Sequence, residues 1–320
     1  MNEFEKLKLE SRKLIIERVL KQDAEVRAIV LRSLDRLIEK FKQLKAEGRY
    51  YAIPELIDSI IVENAVITEK ELKAVLSASA IVGVNAGMHE SREITFRLLN
   101  KANIDVKPII SSFFRISERA VDEMERRRIK GLKLSERIWG HSKRINNILG
   151  TLAKDGIQIG EHPIEIAKRM QQYVNKGAST LVSEYPNMME RIGHMVPDDL
   201  SYEALRLART EIMGAYGISS KMSAENLPSA KGMKWSTSNS NTACKKCQEN
   251  ASNDNGMGAG IYRFDELPDY PAHPNCMCQL TPELEDTDSF VDRLIEWTNN
   301  PMSQPDIEQW YQEHYKMGAL

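Results

Sequence analysis

The chain has 320 residues, 42% of them hydrophobic and 28% charged, and a formal net charge of -2. That length buries a real core and is expected to make two or three domains. A balance so close to neutral excludes a protein that binds nucleic acid or membranes through its overall charge, and leaves only local patches for that purpose. The start, Met1-Asn-Glu-Phe-Glu-Lys, lacks the apolar core of a signal peptide. The most apolar stretch with few charges, residues 74–88, is too short to span a bilayer. Synthesis in the cytoplasm, with reduced thiols, is therefore expected, and no membrane partner.

Residues 3–47 read as one long helix. Val26, Val30, Leu34, Leu37, Phe41 and Leu44 alternate spacings of four and three, which puts them on one face of a packed bundle helix. Pro54 opens a short second helix to about residue 63. Thr68 then caps a further helix to about residue 100, with Glu71 completing a capping box. Ser77, Ala78, Ser79, Ala80, Gly83, Ala86 and Gly87 line its middle, so another helix can approach closely there. His89 beside them is expected to make an ordinary polar contact rather than to ligate a metal.

A helix over 109–128 ends in Arg126, Arg127 and Arg128, with Lys130 and Lys133 just beyond. Two readings apply: a solvated helix end whose charge complements the dipole, or contact with DNA phosphates or an acidic partner. Gly131 marks a boundary. Ser135 caps a helix to about 152, Pro163 starts one to about 174, and another helical stretch runs from Ala178 until Pro197 breaks it. Ser201 caps a helix over 202–223, with Leu205, Ala208, Ile212 and Tyr216 on its buried side.

After Pro228 the pattern changes to short strands at 233–237, 261–264 and 277–281, with an exposed loop over 250–260 rich in Asn, Ser, Asp and Gly. The last segment carries Phe290, Leu294 and Trp297 on one short helix and Trp310, Tyr311 and Tyr315 on another. These aromatics are expected to anchor the tail on its own protein.

All four cysteines fall in one short segment, as Cys244-x-x-Cys247 and His273-Pro-Asn-Cys276-x-Cys278. Such crowding beside a histidine points to one shared metal ion, most simply a structural Zn2+, worth about 10 kcal/mol or more to a small module. Five candidate ligands compete for four tetrahedral places, and spacing alone does not say which is left over. Lys245 and Lys246 partly offset the thiolates, and Pro271 and Pro274 stiffen the loop that presents His273. Paired disulfides and a catalytic zinc are the competing readings. A catalytic zinc needs an open position and a nearby base, for which Asp265, Glu266 and Asp269 are the candidates.

Ala208-Arg209-Thr210-Glu211, Gly214-Ala215-Tyr216, Lys234-Trp235, Cys244-x-x-Cys247 and His273-Pro274-Asn275-Cys276-x-Cys278 occur in that order. Together they resemble the phage Mu F-like minor head protein family, also called phage head morphogenesis proteins. Ser135-Glu136-Arg137-Ile138-Trp139 and the helix over 164–174 resemble its upstream part. The likeness spans about residues 134–282. The family carries an acidic residue and a Thr before its first Cys, where this chain has Ser240, Asn241, Thr242 and Ala243, and its glycine loop is lengthened here.

The resemblance implies a non-enzymatic minor capsid protein of a bacteriophage or prophage, located in the virion head and, during assembly, in the host cytoplasm. It implies a role at the portal vertex in head morphogenesis and genome packaging or ejection, with the portal protein and other head proteins as partners. A zinc-dependent hydrolase or nuclease is the alternative. The expected fold is mainly α: an N-terminal helical bundle (1–130), a central helical domain with the Arg-Thr-Glu helix (131–226), a zinc-stabilised α+β module (227–284) and a tail of short helices (285–320). Arg209 and Glu211 point to different sides of their helix, and two readings apply: one of them braces it against the metal module, or they are ordinary surface charge.

Overall fold

The computed structural model describes residues 3–49, 53–237 and 243–315. The chain is mainly helical, with one small antiparallel sheet towards its C-terminus. Two helices dominate the first hundred residues, α1 (Glu3–Ala46) and α2 (Ile53–Lys101). Next come α3 (Lys107–Arg126), α4 (Leu134–Gln158), α5 (Pro163–Lys176), α6 (Ala178–Glu184), α7 (Pro186–Ile192) and α8 (Tyr202–Glu225). Strand β1 (Ala230–Ser236), α9 (Lys245–Ser252), β2 (Ile261–Tyr262) and β3 (Gln279–Leu284) form the module, and α10 (Thr287–Asn299), α11 (Pro305–Trp310) and a π-helical turn (Tyr311–Tyr315) follow it. Among the described residues, no helix is long and apolar enough to cross a membrane.

These elements fall into two compact units. One comprises Met1–Leu20, Ala78–Arg127 and Arg209–Leu320; the other comprises Lys21–Ser77 and Arg128–Ala208. The four consecutive segments expected from the sequence divide the chain differently. Their boundaries follow glycines and changes of pattern, whereas α1, α2 and α8 are continuous helices that contribute residues to each unit.

In the second unit the predicted seam of α1, from Val26 to Leu44, is buried throughout. Thr68 does not start a helix. No Gly or Pro interrupts α2 near it, and its hydroxyl donates back to the Asn64 carbonyl at 2.9 Å, a bond made inside a helix. Thr68, Ser33, Asn64 and Asn146 share a buried hydrogen-bond network, and Glu71 pairs with Arg32 and Arg36 instead of closing a cap. The cap of α4 also moves. Leu134 is drawn into the helix by burial, so Lys133 is the cap residue, and its N–H donates to Glu136 Oε2 at 2.7 Å.

In the first unit the small residues of α2 face α8. A Cβ on Gly83 would stand 2.8 Å from the Ile212 carbonyl oxygen, and one on Gly87 2.2 Å from that of Tyr216. The glycines therefore set how closely the two helices pack. His89 makes the expected polar contact, with Glu10 at 3.2 Å. The sheet has the order β2-β1-β3, with Met233 facing Tyr262 on one side and Pro282 on the other. Pro282 lies on an edge strand, where its missing N–H is tolerated. Strand β2 is only two residues long, and β1 approaches it closely at Gly232, whose Cβ position would fall 2.2 Å from the Tyr262 carbonyl oxygen. The tail is anchored on its own unit, as expected. Trp310 Nε1 donates to Asn226 O at 2.9 Å, and the Tyr315 hydroxyl donates to Asp105 O at 2.6 Å.

Candidate metal centre

The five predicted ligands converge. Cys244, Cys247 and His273 form one group whose ligand atoms all lie within 4.8 Å of one another, and Cys247, Cys276 and Cys278 form a second. Cys247 belongs to both. Its sulfur is 3.1 Å from His273 Nε2 and 3.7 Å from Cys276 Sγ. All four cysteines are free thiols, so the disulfide reading does not describe this structure.

Local structure sets each ligand. Cys244 is the N-cap of α9, and its sulfur accepts the Cys247 N–H at 3.5 Å. That contact folds the Cys-x-x-Cys turn. The loop after β2 presents His273. Its Nδ1 lies 2.8 Å from the Pro274 carbonyl. An Nδ1–H donated to that oxygen leaves the Nε2 lone pair free to face Cys247. Asn275 takes a left-handed backbone (φ 62°) that turns the chain from His273 back to Cys276.

Three elements hold this loop. The hydroxyl of Thr210, on α8, accepts the Asn275 N–H at 3.2 Å. The Tyr270 hydroxyl donates to Cys278 O at 2.6 Å, and its ring packs edge-on against Trp235 of β1 at 5.3 Å between centroids. From α1, Arg12 donates to Met277 O at 2.6 Å. Beyond the ligands, Tyr216 and Ser220 of α8 both donate to Leu280 O. Gly217 makes room for Tyr270, since a Cβ there would stand 2.1 Å from the ring.

The donor set fits a zinc-sized cation. Two sulfurs on a tetrahedral zinc stand about 3.8 Å apart, and a sulfur and a nitrogen about 3.5 Å. The 3.7 Å pair matches the first, and the 3.1 Å pair falls somewhat inside the second. Three of the four thiols are buried. Burial pushes the Cys247 thiol up to about 12, whereas a hydrogen bond from Cys278 brings Cys276 down to about 5 and raises Cys278 in turn. One buried thiolate among protonated neighbours is an arrangement that a divalent cation relieves, because the cation lets every ligand ionise. The cluster could therefore hold a metal ion.

Other sequence expectations land elsewhere. Asp265, Glu266 and Asp269 belong to neither ligand group, and among the described residues no carboxylate does. Lys245 turns towards Glu249 at 3.7 Å, and Lys246 donates to Ala272 O, so their charge is spent on neighbours rather than aimed at the sulfurs. Residues Ser240, Asn241 and Thr242 lie outside the described residues.

Glu211 is buried and paired with Arg127 at 2.9 Å, over the gap left by Gly214. Thr210, the uncharged residue between Arg209 and Glu211, contacts the module through Asn275. The basic run is also divided. Arg127 is committed to Glu211, Arg126 pairs with Asp122 on the same helix, and Arg128 donates to Gly131 O. Lys130 and Lys133 are exposed. Arg127 therefore has no guanidinium to offer a phosphate. Sequence reasoning missed Thr210, Gly217, Tyr270 and Arg12 as supports of the site; only Thr210 carried a signal, through its place in the Arg-Thr-Glu motif.

Compared with known proteins, the chain matches no family, no curated protein and no solved structure.

Proposed function

We propose that this chain is a bacteriophage minor head protein, a helical assembly component of the virion head whose C-terminal module is fixed by one structural Zn2+. The observation that carries the reading is the contact between Thr210 and Asn275. The Arg-Thr-Glu and His-Pro-Asn-Cys-x-Cys stretches, which together carry the resemblance to the Mu F-like family, are far apart in sequence yet pack on each other. A shared spatial unit gives a physical reason for the two to occur together.

Zinc is the favoured ion because the donors are four soft thiols and one imidazole. Cys244 and Cys247 would clamp the start of α9 to the loop that carries His273, Cys276 and Cys278. The ion supplies a cross-link there, worth on the order of 10 kcal/mol to the module. Buried thiols with no carboxylate among them suit a closed, structural site, and no catalysis is proposed. The partners are the portal protein and other head proteins.

The test is biochemical and genetic. Purified heads of the phage that encodes this chain should contain it, and immobilised portal protein should retain it. Deleting the gene should yield heads that are misassembled or fail to deliver their genome. Absence from purified particles, together with no retention on the portal, would overturn the assignment.

A further inference from the structure

The second unit carries an open groove of about 490 Å³ on the outer face of α4, where it meets the turn at Gly193–Met195. Gly140, Lys143, Arg144, Asn147, Ile148, Thr151 and Met195 line it. Lys143, Asn147 and Thr151 repeat every four residues, a stripe about 12 Å long at 1.5 Å per residue. No acidic residue lines the groove.

Lys143 and Arg144 are exposed, and neither has a carboxylate within salt-bridge distance among the described residues. The nearest acids do not cancel this charge. Arg144 also borders a small cavity with Asp199 and Glu203, but Asp199 pairs with Arg27 at 3.4 Å and Glu203 with Arg206 at 3.6 Å. Lys133, the cap residue of α4, is exposed as well, and its N–H is held by Glu136.

We infer that this groove binds the phosphate backbone of duplex DNA without regard to sequence. Lysine, arginine, asparagine and threonine side chains are the groups that contact phosphate oxygens, and a bare glycine lets a backbone come close. A single-stranded ligand is less well served. Base stacking needs a free aromatic face, and no aromatic residue lines the groove. An acidic protein would need donors spread to match its own carboxylates, whereas two adjacent cations with an amide and a hydroxyl suit closely spaced phosphates. This inference rests on the groove alone and stands or falls independently of the metal and of the portal.

The test uses the full chain and a fluorescent 30-base-pair duplex of arbitrary sequence, by anisotropy from 50 to 200 mM salt. The unaltered protein should bind, more weakly as salt rises, and a second duplex of different sequence should bind equally well. Lys143→Glu with Arg144→Glu should lose at least tenfold in affinity and make the log–log salt slope shallower by about 2. Asn147→Asp, a milder exposed change, should weaken binding several-fold and guards against a folding defect in the double variant. Zinc content measured on the same samples separates failure here from failure of the metal reading. Absence of binding to duplex, unchanged affinity in both variants, or tighter binding to a single strand or to polyglutamate than to duplex would overturn the inference.

Discussion

Thr210 Oγ1 accepts the Asn275 N–H at 3.2 Å, tying the middle of α8 to the turn between two metal-ligand candidates. Thr210→Val keeps the shape and removes the acceptor, so a partly buried N–H loses its partner. The expected cost is about 1–2 kcal/mol, read as a lower melting temperature, and chelator should strip the metal faster. Thr210→Ser should behave like the unaltered protein. Equal melting and equal stripping for the valine variant would show that the bond is incidental.

Gly217 sits under the ring of Tyr270. A methyl group there would stand 2.1 Å from Cδ1, a contact that must push the ring away. The same ring's hydroxyl holds Cys278 O. Gly217→Ala should therefore destabilise the protein by about 1–3 kcal/mol even though alanine is the better helix former. Chemical denaturation measures it. A gain in stability would mean that Tyr270 is not seated on α8.

Arg127 and Glu211 form an ion pair in which the carboxylate is 2% exposed and the guanidinium 19%. Arg127→Ala removes the guanidinium partner of a buried carboxylate and should cost about 3–5 kcal/mol. Replacing both, as Arg127→Met with Glu211→Leu, should cost much less. A double-mutant cycle by urea unfolding gives the coupling, and additive effects of the two single changes would refute it.

Glu90 is a buried carboxyl whose pKa burial raises from 4.5 to about 8, against a smaller opposing pull from Lys8. The folded state holds this proton longer than the unfolded chain does. Its contribution is therefore complete below pH 4.5 and is lost as pH rises through about 8. At about 1.4 kcal/mol per pKa unit this is on the order of 5 kcal/mol across that window. Glu90→Gln should flatten the loss, so the variant overtakes the unaltered protein above pH 8. Parallel melting curves at pH 6 and pH 9 would contradict this.

Much of the architecture was legible because long periodic segments leave little choice. The seam from Val26 to Leu44 requires a helix, and four cysteines in one short stretch require a common purpose. Local signals misled where tertiary partners outweighed them. Thr68 looks like a cap, but Ser33 and Asn146 give its hydroxyl a buried network within α2. The sequence drew attention to the charged residues of α8, and the threonine between them went unnoticed as a contact, because a backbone N–H needs only a neutral acceptor. The support from Tyr270, Gly217 and Arg12 is a product of three-dimensional packing, and no spacing in the sequence announces it.

The most direct measurement is the zinc content of purified protein beside Cys247→Ser, since Cys247 alone belongs to both ligand groups. The account predicts one zinc per chain in the unaltered protein, loss of that ion in the variant, and new protease sensitivity confined to residues after β1. A chain that carries no stoichiometric zinc, or a variant that keeps the full complement, would contradict it.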